Sequence, residues 1–292
     1  MRRLALGTVA AVLVWAFGVW PPPLWWRDHW PRETAMMREA ATTRSSRPAV
    51  RPTPLQGISP VLQRMVIIGE DSRFRTHHGI DPAEIADALG MDARRGFWSA
   101  LGAAWRHRDR LRGASTITQQ VAKNLYLSTS RNPLRKIKEA VTALRLELAL
   151  PKDRILELYL SVAEWGPGIW GADAASLAYF GVPASRLTEQ QAAELAATLP
   201  HPRTSNPTFR PERTLARRDL ILARYRGVNV YIPPEEETDT LPIPPSAPVI
   251  PTVLDSLEVA VPLEADSAQD SLTAGRTDAQ GRTADSGRDS LP

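Results

Sequence analysis

At 292 residues without a cysteine, the chain has room for one large domain or two small ones and excludes a disulfide framework, a thiolate nucleophile and a Cys-ligated metal. The net charge of +4 conceals an asymmetry: from Pro233 onward there are 12 acids and 3 arginines, whereas residues 1–232 carry 33 bases against 20 acids. A part this basic expects an anionic partner, whether nucleic acid, an anionic membrane face or a phosphorylated substrate.

In chain order, Arg2 and Arg3 precede an uncharged run of 17 residues from Leu4 to Trp20, with Trp20, Trp25 and Trp26 at its far end. That run is at the short end of the roughly 17–25 residues a spanning helix needs. The arginines keep the N-terminus in the cytoplasm, and the tryptophans suit an interfacial belt. With no A-x-A site and with PPP following, residues 1–26 are expected to be an uncleaved single-pass anchor rather than a signal peptide. The remainder then sits outside the cytoplasm, where nucleic acid is not a partner. Residues 27–57 are expected to be a linker, most plainly over the polar stretch REAATTRSSRPAVRPTPLQG at 38–57.

Helical periodicity dominates residues 58–232, which predicts a mainly α domain with a core of its own. Pro60 to Gly69 reads as an apolar helix with Leu62, Met65 and Val66 inward, and Asp81 as the cap of a second. Gly90 to Arg112 mixes Phe97, Trp98, Leu101 and Trp105 with arginines and reads as a basic amphipathic stretch for a membrane surface. Thr116 with Gln119 forms a capping box that starts a helix through Leu125. Pro133 opens a long helix to Leu150, and Pro151 another to Val162. A helix ending at Gly181, a capped one from Thr188 to Leu199 and a last one from Pro211 to Gly227 follow. No alternating run argues for strands. From residue 233 the composition turns to Pro, Ser, Thr, Asp and Glu, expected to be a disordered tail.

Three stretches could carry chemistry. In GEDSRFRTHHGID, Glu70 and Asp71 close an apolar helix, where poor solvation raises a carboxyl pKa and suits a general base or acid. A surface acidic pair is the plainer reading of that stretch by itself. His77 and Asp81 have metal-ligand spacing but no third ligand beside them, so His77 is expected to be a structural hydrogen-bonder. In GASTITQQVAKN, Gln119, Gln120 and Lys123 share a helix face near an N-terminus that can bind an anion. A capped surface helix is the plainer reading of that stretch by itself. In RNPLRKIKEAVTALRLELALPK, Leu134, Ile137, Val141, Leu144 and Leu148 form an apolar stripe. Glu139 lies opposite, above Ala143, Leu146 and Leu150, so that side also looks covered and Glu139 is expected at the rim of a pocket beside Arg135 and Lys136 of the preceding turn; an i, i+4 Arg135–Glu139 pair on a solvated face explains that stretch by itself equally well. All four lysines of the chain (Lys123, Lys136, Lys138 and Lys152) fall within 30 residues of one another, as if compact ammonium groups were wanted there.

Together and in this order, these stretches resemble the peptidoglycan glycosyltransferases of family 51, most closely the monofunctional biosynthetic type. The pattern covers residues 58–207: ED-x-x-F-x-x-H-x-G at Glu70–Gly79, G-x-S-T-I-T-Q-Q-x-x-K-N at Gly113–Asn124, R-K-x-x-E at Arg135–Glu139, ILELYL…EWGPGIWGADAAS..YFG at Ile155–Gly181 and AAELAATLPHPRTSNP at Ala192–Pro207. Ser161 stands where the family usually has asparagine, and the 90–112 segment looks longer and more aromatic than is typical.

The resemblance implies a lysozyme-like, two-lobed helical glycosyltransferase domain that polymerises lipid II at the outer face of the cytoplasmic membrane. It also implies that Glu70 is the general base and Glu139 the second glutamate. Arg135 and Lys136 would manage the departing pyrophosphate with Glu139, with a divalent ion such as Mg2+ near it and no obligatory cofactor. Lys123 and Arg131 would hold donor phosphate charge, while Asp71, Phe74, Ser115, Thr116, Gln119, Gln120 and Asn124 shape the sugar sites. Expected partners are lipid II, the growing glycan strand, the membrane and cell-wall synthesis or division proteins. No S-x-x-K, S-x-N or K-T-G set follows, so no penicillin target is expected. Competing readings are a lysozyme-like lytic transglycosylase or muramidase and an inactive scaffold that binds lipid II.

Overall fold

The computed structural model describes residues 2–41, 50–88, 115–127 and 133–233. The amphipathic stretch at 90–112, Gly113, Arg131 and the tail from residue 234 therefore lie outside the described residues. The elements are α1 (Arg2–Phe17), a 3-10 turn at Pro23–Arg27, α2 (Ala35–Ala41), a second such turn at Leu55–Gly57, α3 (Pro60–Glu70) and α4 (Pro82–Ala88). They continue with α5 (Ile117–Tyr126), α6 (Pro133–Ala149), α7 (Lys152–Val162), β1 (Glu164–Gly166), β2 (Ile169–Trp170), α8 (Ala172–Phe180), a turn at Ala184–Arg186, α9 (Glu189–Thr198) and α10 (Glu212–Tyr225).

The helix starts follow local chemistry. Ser59 accepts from Val61 N at 3.3 Å with Pro60 at the first helical position of α3. Both expected capping boxes form, Thr116 with Gln119 on α5 and Thr188 with Gln191 on α9. Gly181 ends α8 at φ +68°, in the left-handed region that glycine tolerates best. Helix packing falls into two groups: α9 lies against α3 and α10, while α5 lies against α2, α6 and α7. Leu62, Met65 and Val66 of α3 are fully buried, each contributing on the order of 2 kcal/mol of apolar transfer.

Four expectations change. A short antiparallel hairpin exists after all, pairing Glu164 with Trp170 and Gly166 with Ile169, with Trp165 and Trp170 buried. Strands this short leave no measurable alternation in the sequence. The stretch read as a linker is partly packed: Trp26, Thr34, Met37 and Val50 are buried, α2 rests on α5, and Trp26 Nε1 donates to Tyr126 Oη at 2.5 Å. Ser161 turns inward, accepting from Thr53 N at 3.3 Å, and so ties α7 to that same stretch.

On α6 the covered side is the one bearing Glu139, Ala143, Leu146 and Leu150, whereas the apolar stripe faces out, with Leu134 53% and Leu148 87% exposed. Beside α6 runs α1, held by Arg145 Nη1 donating to Phe17 O at 2.5 Å and by Lys138 over the Trp15 ring at 5.7 Å. At 16 residues, α1 is shorter than the expected anchor, and among the described residues no helix is long and apolar enough to cross a membrane.

Gly79 sets the distance between two site-bearing segments. It adopts φ +85°, and a Cβ there would meet the carbonyl carbon and oxygen of Ala143 at 3.0 Å. Its own carbonyl accepts from Thr116 Oγ1 at 2.6 Å, so the loop after α3 is clamped between α6 and the start of α5. Replacing Gly79 with alanine should cost roughly 1–3 kcal/mol through backbone strain plus displacement of α6. Denaturant unfolding of the detergent-solubilised protein measures it, and an unchanged midpoint would show that α6 moves aside without penalty.

Candidate active site

Glu70 is the last residue of α3. The apolar face that buries Leu62, Met65 and Val66 carries its carboxyl into the interior, and its side chain is only 9% exposed. From α5, Gln120 Nε2 donates to Glu70 Oε2 at 3.0 Å, and Tyr159 Oη of α7 donates to Gln120 Oε1 at 3.0 Å. The relay fixes the amide orientation, because only its nitrogen can donate to a carboxylate. Burial, reinforced by the charges of Glu70 and Asp71, pushes the Tyr159 hydroxyl well above its usual range, so it stays a neutral donor. Glu70 Oε1 accepts no hydrogen bond, although Arg217 Nη2 of α10 stands 3.8 Å away. Burial pushes the Glu70 carboxyl above the ordinary carboxylate range, with Arg217, Gln120 and Lys123 pulling it partly back. The result is a poorly solvated carboxyl with one oxygen anchored and the other still able to accept a proton.

Asp71, the next residue, is committed to the fold. Its Oδ2 accepts from Ile117 N at 2.9 Å, and both its oxygens lie 2.9 Å from His77 Nε2. Phe74 is fully buried, edge-on to His77 at 6.3 Å between centroids, with Lys152 Nζ 4.4 Å from its ring centre. Thr116 and Gln119 are buried in the capping box, and Asn124 is buried further along α5.

A second cluster forms where α6 meets the start of α5. Glu139 is 2% exposed. Its Oε2 accepts from Arg135 Nη1 at 2.7 Å and its Oε1 from Lys136 Nζ, while the same ammonium donates to Ser115 Oγ at 2.6 Å. The i, i+4 and i, i+3 spacings put both cations on the glutamate's side of the helix. Ser115 lies just before the Thr116 cap of α5 and Gln120 in its first turn, so the start of α5 meets the Glu139 cluster and the turn after it faces Glu70.

The structure therefore gathers Glu70 with Gln120 and Lys123, and Glu139 with Arg135, Lys136 and Ser115. It turns Asp71, Phe74, Thr116 and Gln119 to structural contacts. The lysine clustering divides. Lys123 and Lys136 belong to the site, whereas Lys138 faces α1 and Lys152 pairs with the buried Glu147 at 2.7 Å, which also accepts from Thr118 Oγ1. Arg217 and Tyr159 escaped the sequence reading. For Arg217 a signal existed: it shares the inward stripe of α10 with Thr214 and Ile221, where a charge has no place unless it has a partner.

Neither acidic group suits a divalent ion. Both oxygens of Glu139 are already engaged by cations, a donor set that repels a metal unless one cation leaves. Asp71, His77 and Asp81 bring ligand atoms within 4.8 Å of one another. However, Asp81 binds Arg73 Nε at 2.6 Å and accepts from Ala83 N and Glu84 N at the start of α4, and Asp71 serves α5 in the same way. Asp71 thus supplies the third ligand-type group that the sequence did not reveal beside His77 and Asp81, and His77 is hydrogen-bonded to it.

Residues 36–226 match the family described as Transglycosylase. A biosynthetic peptidoglycan transglycosylase of Thiobacillus denitrificans is 41% identical over 230 residues, 77% of this chain and 93% of that protein. One from Azoarcus sp. is 40% identical over 235 residues, 79% and 96% of the two chains, and one from Chromobacterium violaceum is 39% identical over 227, 76% and 94%. With most of its described domain inside the match and near-complete coverage of each relative, the chain belongs to the transglycosylase family.

Proposed function

We propose that the protein is a peptidoglycan glycosyltransferase of cell-wall synthesis that polymerises lipid II, and that Glu70 is its general base. In this reading Glu70 Oε1 takes the proton of the acceptor GlcNAc 4-hydroxyl as that oxygen attacks C1 of the donor MurNAc. The bond from C1 to the pyrophosphate oxygen breaks with inversion, and undecaprenyl pyrophosphate leaves. Lys123, Arg135 and Lys136, together with Arg131, meet the charge on the leaving diphosphate, and Glu139 holds Arg135 and Lys136 ready for it. The observation that carries the proposal is the asymmetric Glu70 carboxyl: buried, tethered through one oxygen and open to a hydroxyl at the other. The logic parallels inverting sugar chemistry, in which one carboxylate activates the nucleophile. A glycan-cleaving enzyme has no use for the Arg135–Lys136 pair, since no diphosphate departs.

We place the enzyme on the bilayer through α1 and the outward stripe of α6. What supports this is the run of exposed apolar side chains they share, Leu13, Val14 and Phe17 with Leu144 and Leu148, in a domain with an excess of basic residues. Such a face would set the Glu70 and Glu139 clusters beside a substrate whose diphosphate lies at the headgroup level.

Three outcomes are expected. Glu70→Gln, which keeps the shape and the contact to Gln120, should lower the turnover of fluorescent lipid II by roughly 10²- to 10⁴-fold; undiminished polymer on a gel would remove Glu70 from the mechanism. The base works only when ionised, so kcat/KM should fall as the pH drops through the Glu70 pKa. Because burial raises that pKa, the acid limb should lie above the ordinary glutamate value of about 4.3. Finally, Leu144→Glu with Leu148→Glu should slow polymerisation in lipid vesicles while leaving it intact in detergent micelles, and equal rates in both would separate the stripe from membrane contact.

A further inference from the structure

We infer that Arg217 is a positioning residue for Glu70, fixing its backbone and neutralising its charge without occupying the oxygen that accepts the proton. The inference rests on the reading of Glu70 as general base. Arg217 is 5% exposed, deep on the inward face of α10. Its Nη2 donates to Gly69 O at 2.6 Å and its Nη1 to Pro233 O at 3.0 Å, and Nη2 lies 3.8 Å from Glu70 Oε1. The first bond seizes the residue immediately before Glu70. The second holds the far side of the guanidinium to Pro233, next to the buried Ile232.

That reach depends on close packing. A Cβ on Gly69 would meet Ile221 Cδ1 at 3.0 Å, so α10 presses against α3 at the point where Arg217 crosses. The separation of 3.8 Å decides the function: it is ion-pair range but beyond a hydrogen bond. A direct bond would place the guanidinium on Oε1 itself and crowd an approaching hydroxyl, whereas a charge at this distance stabilises the ionised carboxylate and leaves Oε1 open.

The other groups facing Glu70 cannot replace it. Gln120 from α5 and, behind it, Tyr159 from α7 are neutral, Lys123 from α5 has a weaker effect, and Asp71 opposes ionisation. On α9, Glu194 is directed to Arg218 at 3.9 Å instead. Burial pushes the Glu70 carboxyl up, and Arg217 is the strongest of the groups that bring it down.

A purely mechanical link between α3 and α10 would give the same contacts but a different kinetic signature. The test is kcat and KM for lipid II polymerisation across pH, using the full chain with Arg217→Gln, Arg217→Lys and Glu70→Gln. Arg217→Gln keeps a polar amide of shorter reach and loses the charge. Its acid limb should move to higher pH, with kcat near neutrality down about tenfold, KM little changed and activity recovering in alkaline buffer. Arg217→Lys should keep the limb at its original pH. A loss in Arg217→Gln that is uniform across pH, or no loss, overturns the inference. Should Arg217→Gln fail to fold, Arg217→Lys decides: a retained limb supports the role and a displaced one refutes it. If Glu70→Gln still turns over, the base reading fails; if it is inactive while the Arg217→Gln limb stays put, only the positioning role fails.

Discussion

The carboxylate of Asp71 joins the end of α3 to the start of α5, and the site is built outward from that junction. By accepting Ile117 N and His77 Nε2, it satisfies donors at the N-terminus of α5 that would otherwise need water. It also sets the first turn of α5 directly beside Glu70. The adjacent carboxyls of an acidic dipeptide therefore diverge in role. One is consumed by secondary structure, and the other, one residue earlier on the end of a buried apolar helix, is left with a single neutral hydrogen-bond donor. Gly79 then lets the following loop approach α6 closely enough for Thr116 to bond it, which brings α6 and its Glu139 to the start of α5, just before the turn that faces Glu70.

The two glutamates sit in opposite electrostatic settings. Glu139 has a cation on each oxygen at hydrogen-bond distance or closer, so both oxygens serve to arrange Arg135 and Lys136. Glu70 has its cation at 3.8 Å and keeps Oε1 open. The same cations are only partly satisfied by Glu139: the cluster of Arg135 and Lys136 around one carboxylate retains net positive charge, the setting a departing diphosphate requires.

Much of this was legible in advance, for local reasons. The capping boxes at Thr116 and Thr188, Ser59 with Pro60 before α3 and the buried face of α3 follow from neighbours three or four residues apart. The i, i+4 relation of Arg135 to Glu139 is likewise local, and the ordered motifs pointed to the family. What misled was equally physical. An apolar stripe on a helix says that it avoids water, not which apolar neighbour covers it, so Leu144 and Leu148 turned outward while Ala143 and Leu146 filled the core. Lysine clustering along the chain did not mean clustering in space, because Lys138 and Lys152 leave their helices in other directions from Lys123 and Lys136.

The sequence by itself determined the helices, their caps, the acidic residue at the end of α3 and the membership of the family, since each depends on residues close in the chain or on motifs in order. Only the tertiary structure decided which carboxylate stays open, because that depends on side chains 46 to 148 residues apart: Ile117 on Asp71, Gln120 on Glu70 and Arg217 on Gly69. No spacing rule links such positions. They meet because α5 and α10 must each bury an apolar face against the rest of the domain, and what those faces carry with them becomes the site.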